Sequence, residues 1–259
     1  MGHHFSAKDV MRLEQAERLK KISEEHGIFY CTAEDSCYPA ALKSIGQVPP
    51  VIYYKGNISI VNDRKNIAVI GSRQVSEAGV KLSYETGRLV AGKQMNLVNG
   101  LALGCDTESI KGALTAGGNC IAVMPCGLEQ IQPPSNRRLA EQILKTGGCL
   151  ISEYPIGTKI EKYRYVERDR LQSGISQAVL IVEAMERSGT MHTADFAWKQ
   201  NKKLVCYYYK MLEFASGNQY LETSRRAQIL KSMDDALNFL DSVYNDPAPE
   251  LYEQLTLKF

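Results

Sequence analysis

The 259-residue chain has no CxxC pair among its seven cysteines, and the count is odd. That pattern points away from a disulfide framework and lacks the common zinc-ribbon spacings. Cys120, Cys149 and Cys206 sit in or beside apolar runs, which predicts buried, reduced thiols and a cytoplasmic setting. Histidine is scarce, with four in all and only His192 beyond residue 26, so a histidine-based zinc site is not expected and His192 reads as structural. No apolar run approaches the roughly 20 residues that span a bilayer, and the N-terminus shows no signal-peptide apolar region, so no membrane partner is expected. Whether the opening "MGHH" is native stays open. Charge of one sign is also lacking: 31 Lys and Arg oppose 29 Asp and Glu, a formal net charge of +2. Any attraction to a polyanion must come from local clustering. Both GxGxxG and GxxxxGK[ST] are missing, which removes the ordinary dinucleotide and triphosphate signatures. No Ser/His/Asp arrangement is visible, so the residues make no case for an enzyme, and neither cofactor nor metal is expected.

What is present is a regular alternation of apolar runs and helix-length segments. Residues 1–45 are polar, with a helical stretch "DVMRLEQAERLKKISEEHG" that ends at Gly27. Its Leu13, Ala16, Leu19 and Ile22 fall on one face, predicting a short helical extension leaning on the main domain. "QVPPVIYYKGN" marks a boundary, where Pro49 and Pro50 favour an extended entry into Val51 to Tyr54. In the main domain, residues 46–225, strands are predicted at Ile67–Ile70, Leu97–Asn99, Cys120–Val123, Cys149–Ser152, Ala178–Val182 and Lys203–Tyr207. Their apolar residues run together instead of alternating, as in a parallel sheet covered on both faces. The spacing predicts an α/β fold with about six strands. Residues 226–259 read as a C-terminal helix and an acidic tail; residues 241–259 hold four carboxylates and one lysine.

Several strand ends lead into glycine turns: Gly71, Gly100 with Gly104, Gly127, and Ser188 with Gly189. In an open parallel sheet these loops converge on one rim, where ligands bind. "IAVIGSRQVSEAG" joins a buried strand, a glycine turn and a helix start, with Ser72 and Arg73 offering donors to an anion. "GTKIEKYRYVERDRLQSG" interleaves Lys159, Lys162, Arg164, Arg168 and Arg170 with Tyr163 and Tyr165. That pattern suits single-stranded nucleic acid, whose phosphates follow cations while bases stack on rings; a solvated face of mixed charge has the same appearance. Cys105 beside Asp106 makes a nucleophile pair only if a base is in reach, and Asp106 is equally placed to cap the helix beginning "TESIKGAL".

The stretches "GSRQVSEAG", "NGLALGCDTESIKGAL", "GGNCIAVMPCGL", "ISEYPIGT", "YRYVERDRLQSGISQAVLIVEA" and "RSGTMHTADFAW" closely resemble the bacterial DNA-processing protein family (DprA, also called Smf). The likeness runs from about Cys37 to about residue 221, where "GNQYL" looks like the family's late turn. It implies an extended Rossmann-like, three-layer fold with a mostly parallel sheet. It also implies sequence-independent binding of single-stranded DNA, homodimers, and help in loading a RecA-type recombinase during natural transformation. Family members are not known as enzymes. By motif position, Gly71, Ser72 and Arg73 are expected at phosphate, as are Arg168 and Arg170. Gly100, Lys111, Gly189 and Thr190 join them from the other glycine loops, and Lys162 and Arg164 from the basic stretch. Asp106, Asp169 and His192 are expected in the pocket region. Asp169 stands where the family has asparagine, Ser109 and Ile110 where it has alanine and histidine, and His192 where an apolar residue is usual. The 38 residues after "GNQYL" are too few for the winged helix that many members carry. Two other readings stay open: a sensor or processor of a small phosphorylated nucleotide, and an interaction module that has lost its ligand.

Overall fold

The computed structural model describes residues 7–246, with side chains from residue 14. "MGHH" and most of the acidic tail lie outside the described residues. The chain opens with α1 (Ala7–Glu25), β1 (Phe29–Thr32), β2 (Val51–Gly56), the single turn α2 (Ile60–Asp63) and β3 (Asn66–Ile70). Alternation follows through α3 (Glu77–Gly92), β4 (Asn96–Asn99), α4 (Cys105–Thr115), β5 (Cys120–Val123), α5 (Arg137–Lys145) and β6 (Cys149–Ser152). The second half runs α6 (Lys162–Ile175), β7 (Ala178–Ile181), α7 (Gly189–Lys199), β8 (Lys203–Tyr207), α8 (Ser216–Thr223), β9 (Gln228–Leu230) and α9 (Met233–Asn245).

All nine described strands form one sheet in the order β1-β2-β6-β5-β4-β3-β7-β8-β9. From β6 to β9 every neighbouring pair is parallel, and the antiparallel pairs β1–β2 and β2–β6 extend one edge. Strand residues divide by parity between two cores. Ile67 and Val69 join α3, α4, α5 and α9 on one face, while Ala68 and Ile70 join α2, α6, α7 and α8 on the other. Those faces and the sheet make the three layers of a Rossmann-like fold. Crossovers β3–β4, β4–β5 and β5–β6 use the first face, and β6–β7 moves to the second. Strand order therefore reverses between β3 and β7.

The six strands read from apolar runs are present within one residue at each end. Both flanking segments also enter the sheet, since β1 pairs with β2 and β9 pairs with β8. The leading helix leans less than its pattern predicts: Ala16 is exposed, Leu19 and Ile22 are half-buried, and Ser23 is the one buried residue of its last turns. Gly27 ends it in the left-handed region at φ 66°, letting Ile28 N–H donate to Ser23 O at 2.8 Å.

Candidate functional site

At the reversal of strand order the loops after β3 and β7 separate and leave a cleft of about 420 Å³. Its wall comprises the turn from Ile70 to Gln74, the start of α7, and the α6 residues Tyr165, Arg168, Asp169 and Gln172, closed by Ala102, Asp106 and Met185. A second cavity of about 180 Å³ lies alongside, lined by Gly100, Leu103, Gln132 and Pro133. Arg73, Ala102, Tyr165 and Arg168 line both and so form the partition between them.

The turn after β3 is held by main-chain bonds from two sides. Ser72 N–H donates to Glu183 O at 2.7 Å, and Cys105 N–H donates to Ser72 O at 3.1 Å. Gly71 has no room for a side chain, because a Cβ there would stand 2.4 Å from Cys105 Sγ. The buried Glu183 carboxylate accepts from Ser76 N–H at 2.9 Å and Ser76 Oγ at 3.0 Å. Its other oxygen accepts from Glu213 N–H at 3.1 Å and Phe214 N–H at 2.7 Å. Ser76 in turn caps α3 through Gly79 N–H. The turn is thus preorganised by a carboxylate one residue beyond the predicted strand Ala178–Val182, for which the sequence carries no signal of its own.

Arg73 emerges from this turn exposed, makes no ion pair among the described residues, and lies 5.3 Å above the Tyr165 ring. Arg168, by contrast, is 5 % exposed: Nη1 donates to Val123 O at 2.7 Å and Nε to Asp169 at 3.1 Å. Gly100 makes space for it, since a Cβ there would meet Arg168 Nη1 at 1.9 Å. The second Asp169 oxygen has no hydrogen-bond partner among the described residues, and Asp169 lines the cleft. Burial pushes its carboxyl up to about 6; Arg168 opposes that rise and Asp106 adds to it. Asp106 is also raised by burial, against Arg168 and the N–H groups it holds.

Asp106 does not act as a helix cap. The helix starts one residue before it, at Cys105, and the carboxylate turns back to accept from Gly100 N–H at 3.0 Å and Ala102 N–H at 3.1 Å. Burial pushes the Cys105 thiol up to about 12, so no thiolate nucleophile stands beside it at neutral pH.

At the head of α7, Gly189 and Thr190 line the large cleft, and Ser188 places no side-chain cap on the helix. Ser72, Thr190 and Thr193 are all within 9 % exposure, and their hydroxyls have no hydrogen-bond partner among the described residues. His192 is exposed on the same first turn and lines neither cavity.

The remaining basic residues separate. Arg170 lines neither cavity; its guanidinium donates to the Glu153 carboxylate at 2.8 and 2.5 Å and to Glu167 O at 2.8 Å. Lys111 lies outside both cavities and pairs with Glu108 at 2.7 Å on the exposed side of α4. Lys162 is exposed at the start of α6. Arg164 lies 5.0 Å above Tyr154 and 5.4 Å above Tyr163, and donates to Lys159 O. Gln172, Met185 and Tyr154 had no sequence signal of their own; only the fold brings them to the rim. Among the described residues no cluster of three His, Cys, Asp or Glu side chains is placed to hold a metal ion, and no helix is long and apolar enough to cross a membrane.

Three likenesses bear on this arrangement. Protein Smf of Synechocystis is 35 % identical over 176 residues, covering 67 % of this chain and 44 % of that protein. DNA processing protein DprA of Streptococcus pneumoniae is 32 % identical over 205 residues, 78 % of this chain and 71 % of that one. A Helicobacter pylori DNA processing protein A structure, described for its single-stranded DNA binding mode, superimposes with a TM-score of 0.75 at 27 % identity, covering 82 % of this chain and 96 % of that one. The chain thus spans less than half of the first relative's length and about seven-tenths of the second's. Residues 29–241 match the family described as DNA recombination-mediator protein A, a span that runs from β1 into α9 and takes in the whole rim, and the chain belongs to that family.

Proposed function

We propose that this protein binds single-stranded DNA without sequence preference along the C-terminal rim of its sheet, and acts there as a recombination mediator. In this reading it is a cytoplasmic homodimer that delivers the strand to a RecA-type recombinase during DNA uptake. The observation that carries the reading is the Arg73–Tyr165 partition. An exposed, unpaired guanidinium lies on an aromatic ring between two cavities, on a turn fixed from both sides. Such a pair offers a phosphate its N–H groups and a base its ring, without reading sequence. The unpartnered hydroxyls at the start of α7 add donors on the same cleft. The Helicobacter pylori relative, with its described single-strand binding mode, supports the same ligand.

The test is fluorescence titration of labelled oligo-dT against wild type and Arg73→Ala at several salt concentrations. The variant should melt like wild type, bind about tenfold more weakly, the equivalent of roughly 1.4 kcal/mol, and lose about 0.7 unit of salt slope. Unchanged affinity at both low and moderate salt would remove Arg73 from the interface. Saturation of the cleft by a mononucleotide that displaces no oligonucleotide would favour a nucleotide sensor instead.

A further inference from the structure

The rim carries aromatic and cationic residues well beyond the partition. Tyr208 and Tyr209 follow β8 directly, and Lys231 follows β9. β8 and β9 run parallel to β3 and β7, so these residues emerge on the same edge as Arg73. Tyr208 and Tyr209 meet edge to face at 5.2 Å. Lys231 lies 5.9 Å above the Tyr208 ring, and Lys210 lies 6.0 Å above the Tyr209 ring. Both lysines are exposed, and neither makes an ion pair among the described residues. Asp235 spends one oxygen on Lys231 N–H at 2.7 Å. Met185, 39 % exposed on the wall of the large cleft, stands on the loop after β7, between this patch and the partition.

We propose that Tyr208 and Tyr209 stack bases and Lys210 and Lys231 hold phosphates of a strand that continues from Arg73 toward β9. This second contact rests on the reading of the rim as a single-strand site and extends it. Three combinations of rings and cations then occur along one edge: Tyr154 and Tyr163 with Arg164 after β6, Tyr165 with Arg73 after β3, and the tyrosine pair with its lysines after β8 and β9. At about 4.8 Å per strand, the edge from β6 to β9 measures roughly 29 Å, and the part from β3 to β9 roughly 14 Å. A strand held at Arg73 covers the latter distance within a few nucleotides, since its phosphates follow one another at about 3.4 Å or more. Sequence tolerance is retained throughout, because rings and ammonium groups read neither base identity nor order.

Anisotropy titrations of labelled dT16 across salt test the extension, with wild type, Lys210→Ala/Lys231→Ala and Tyr208→Leu/Tyr209→Leu. The lysine pair should cost about fivefold to tenfold and lower the salt slope by about 1.4 units, two single-strand contacts' worth. The tyrosine pair should weaken binding about tenfold with the slope kept. If wild type binds dT16 and the variants match it in affinity and slope, the extension fails while the Arg73 site stands. A loss in the lysine pair with the salt slope unchanged also overturns it, since those ammonium groups then meet no phosphate. Wild type that does not bind dT16 ends both readings together.

Discussion

Arg168, Asp169 and Arg170 are adjacent in sequence and do three different things. Every residue of α6 from Arg168 to Ile175 is buried, because that half of the helix is enclosed by the sheet, α7 and the segment around Leu42 and Ile45. A basic stretch therefore turns inward, and exposure, which no motif encodes, decides which cations reach solvent. Arg170 neutralises Glu153 in a two-pronged pair whose side chains are 10 % and 14 % exposed. Arg170→Ala leaves that carboxylate buried and unpaired, and should cost about 3–5 kcal/mol in urea unfolding. Arg170→Ala/Glu153→Ala should recover part of the loss, and both variants should keep the wild-type salt slope for oligo-dT; a shallower slope would return Arg170 to the interface. Asp169 is charged at neutral pH against its burial. Burial pushes its folded carboxyl up to about 6, above the ordinary aspartate value of 3.8, so the folded form holds the proton more tightly than the unfolded chain. Stability from this group is present below about pH 4 and lost as pH rises through 6. Asp169→Asn removes that dependence. Its melting temperature relative to wild type should climb between pH 4.5 and 7, by the equivalent of on the order of 2 kcal/mol. Oligo-dT binding should tighten most at the upper end, where the wild-type carboxylate faces the cleft charged; a constant melting offset across that range would contradict the assignment.

At the scale of elements, the site depends on how closely α3 and α4 approach, because each helix begins in one of the loops that form the partition. A Cβ at Gly112 would stand 1.9 Å from Tyr84 O, and one at Gly87 would stand 2.0 Å from Ser109 O. Backbone touches backbone at both positions. Gly112→Ala should destabilise by about 1–3 kcal/mol through overpacking, despite alanine's better helix propensity. It should also weaken oligo-dT binding, because separating the helices moves Ser72 relative to Cys105; urea midpoints and titrations on the same sample check both effects. The interior strands were legible because strands buried on both faces read as unbroken apolar runs. The edges were not. Phe29–Thr32 has two exposed residues and one buried, so its short run of Phe, Tyr and Cys is not that of a strand covered on both faces, and Gln228–Leu230 is only three residues long. The rim of glycine turns was legible for the same reason as the strands that feed it. Its partition was not: Arg73 and Tyr165 lie on separate elements, and nothing in either stretch announces that they meet.

At the scale of the whole molecule, a net charge of +2 leaves little long-range field, so attraction to a polyanion must be local. Exposed rim cations that make no ion pair among the described residues include Arg73, Lys159, Lys162, Arg187, Lys210 and Lys231. Three arginines of α6 are committed to the fold, Arg168 to Val123 and Asp169, Arg170 to Glu153, and Arg164 to Lys159 O. If each free cation releases one counterion from a single strand, log K should fall against log salt with a slope of about −3 to −4. That value is a property of one rim. A homodimer that lays one strand across both copies doubles the number of phosphates contacted, whereas a homodimer whose copies each hold a separate strand does not. Titration of dT16 and dT40 across salt therefore reports how the copies are used, with sedimentation velocity giving the stoichiometry of each complex. A slope of about −3 to −4 on dT16 that steepens toward about −7 on dT40, at two chains per strand, is the outcome expected if the two rims form one continuous path. The same slope on both lengths, at one strand per chain, would make each rim a separate site and leave delivery of a shared strand without a structural basis.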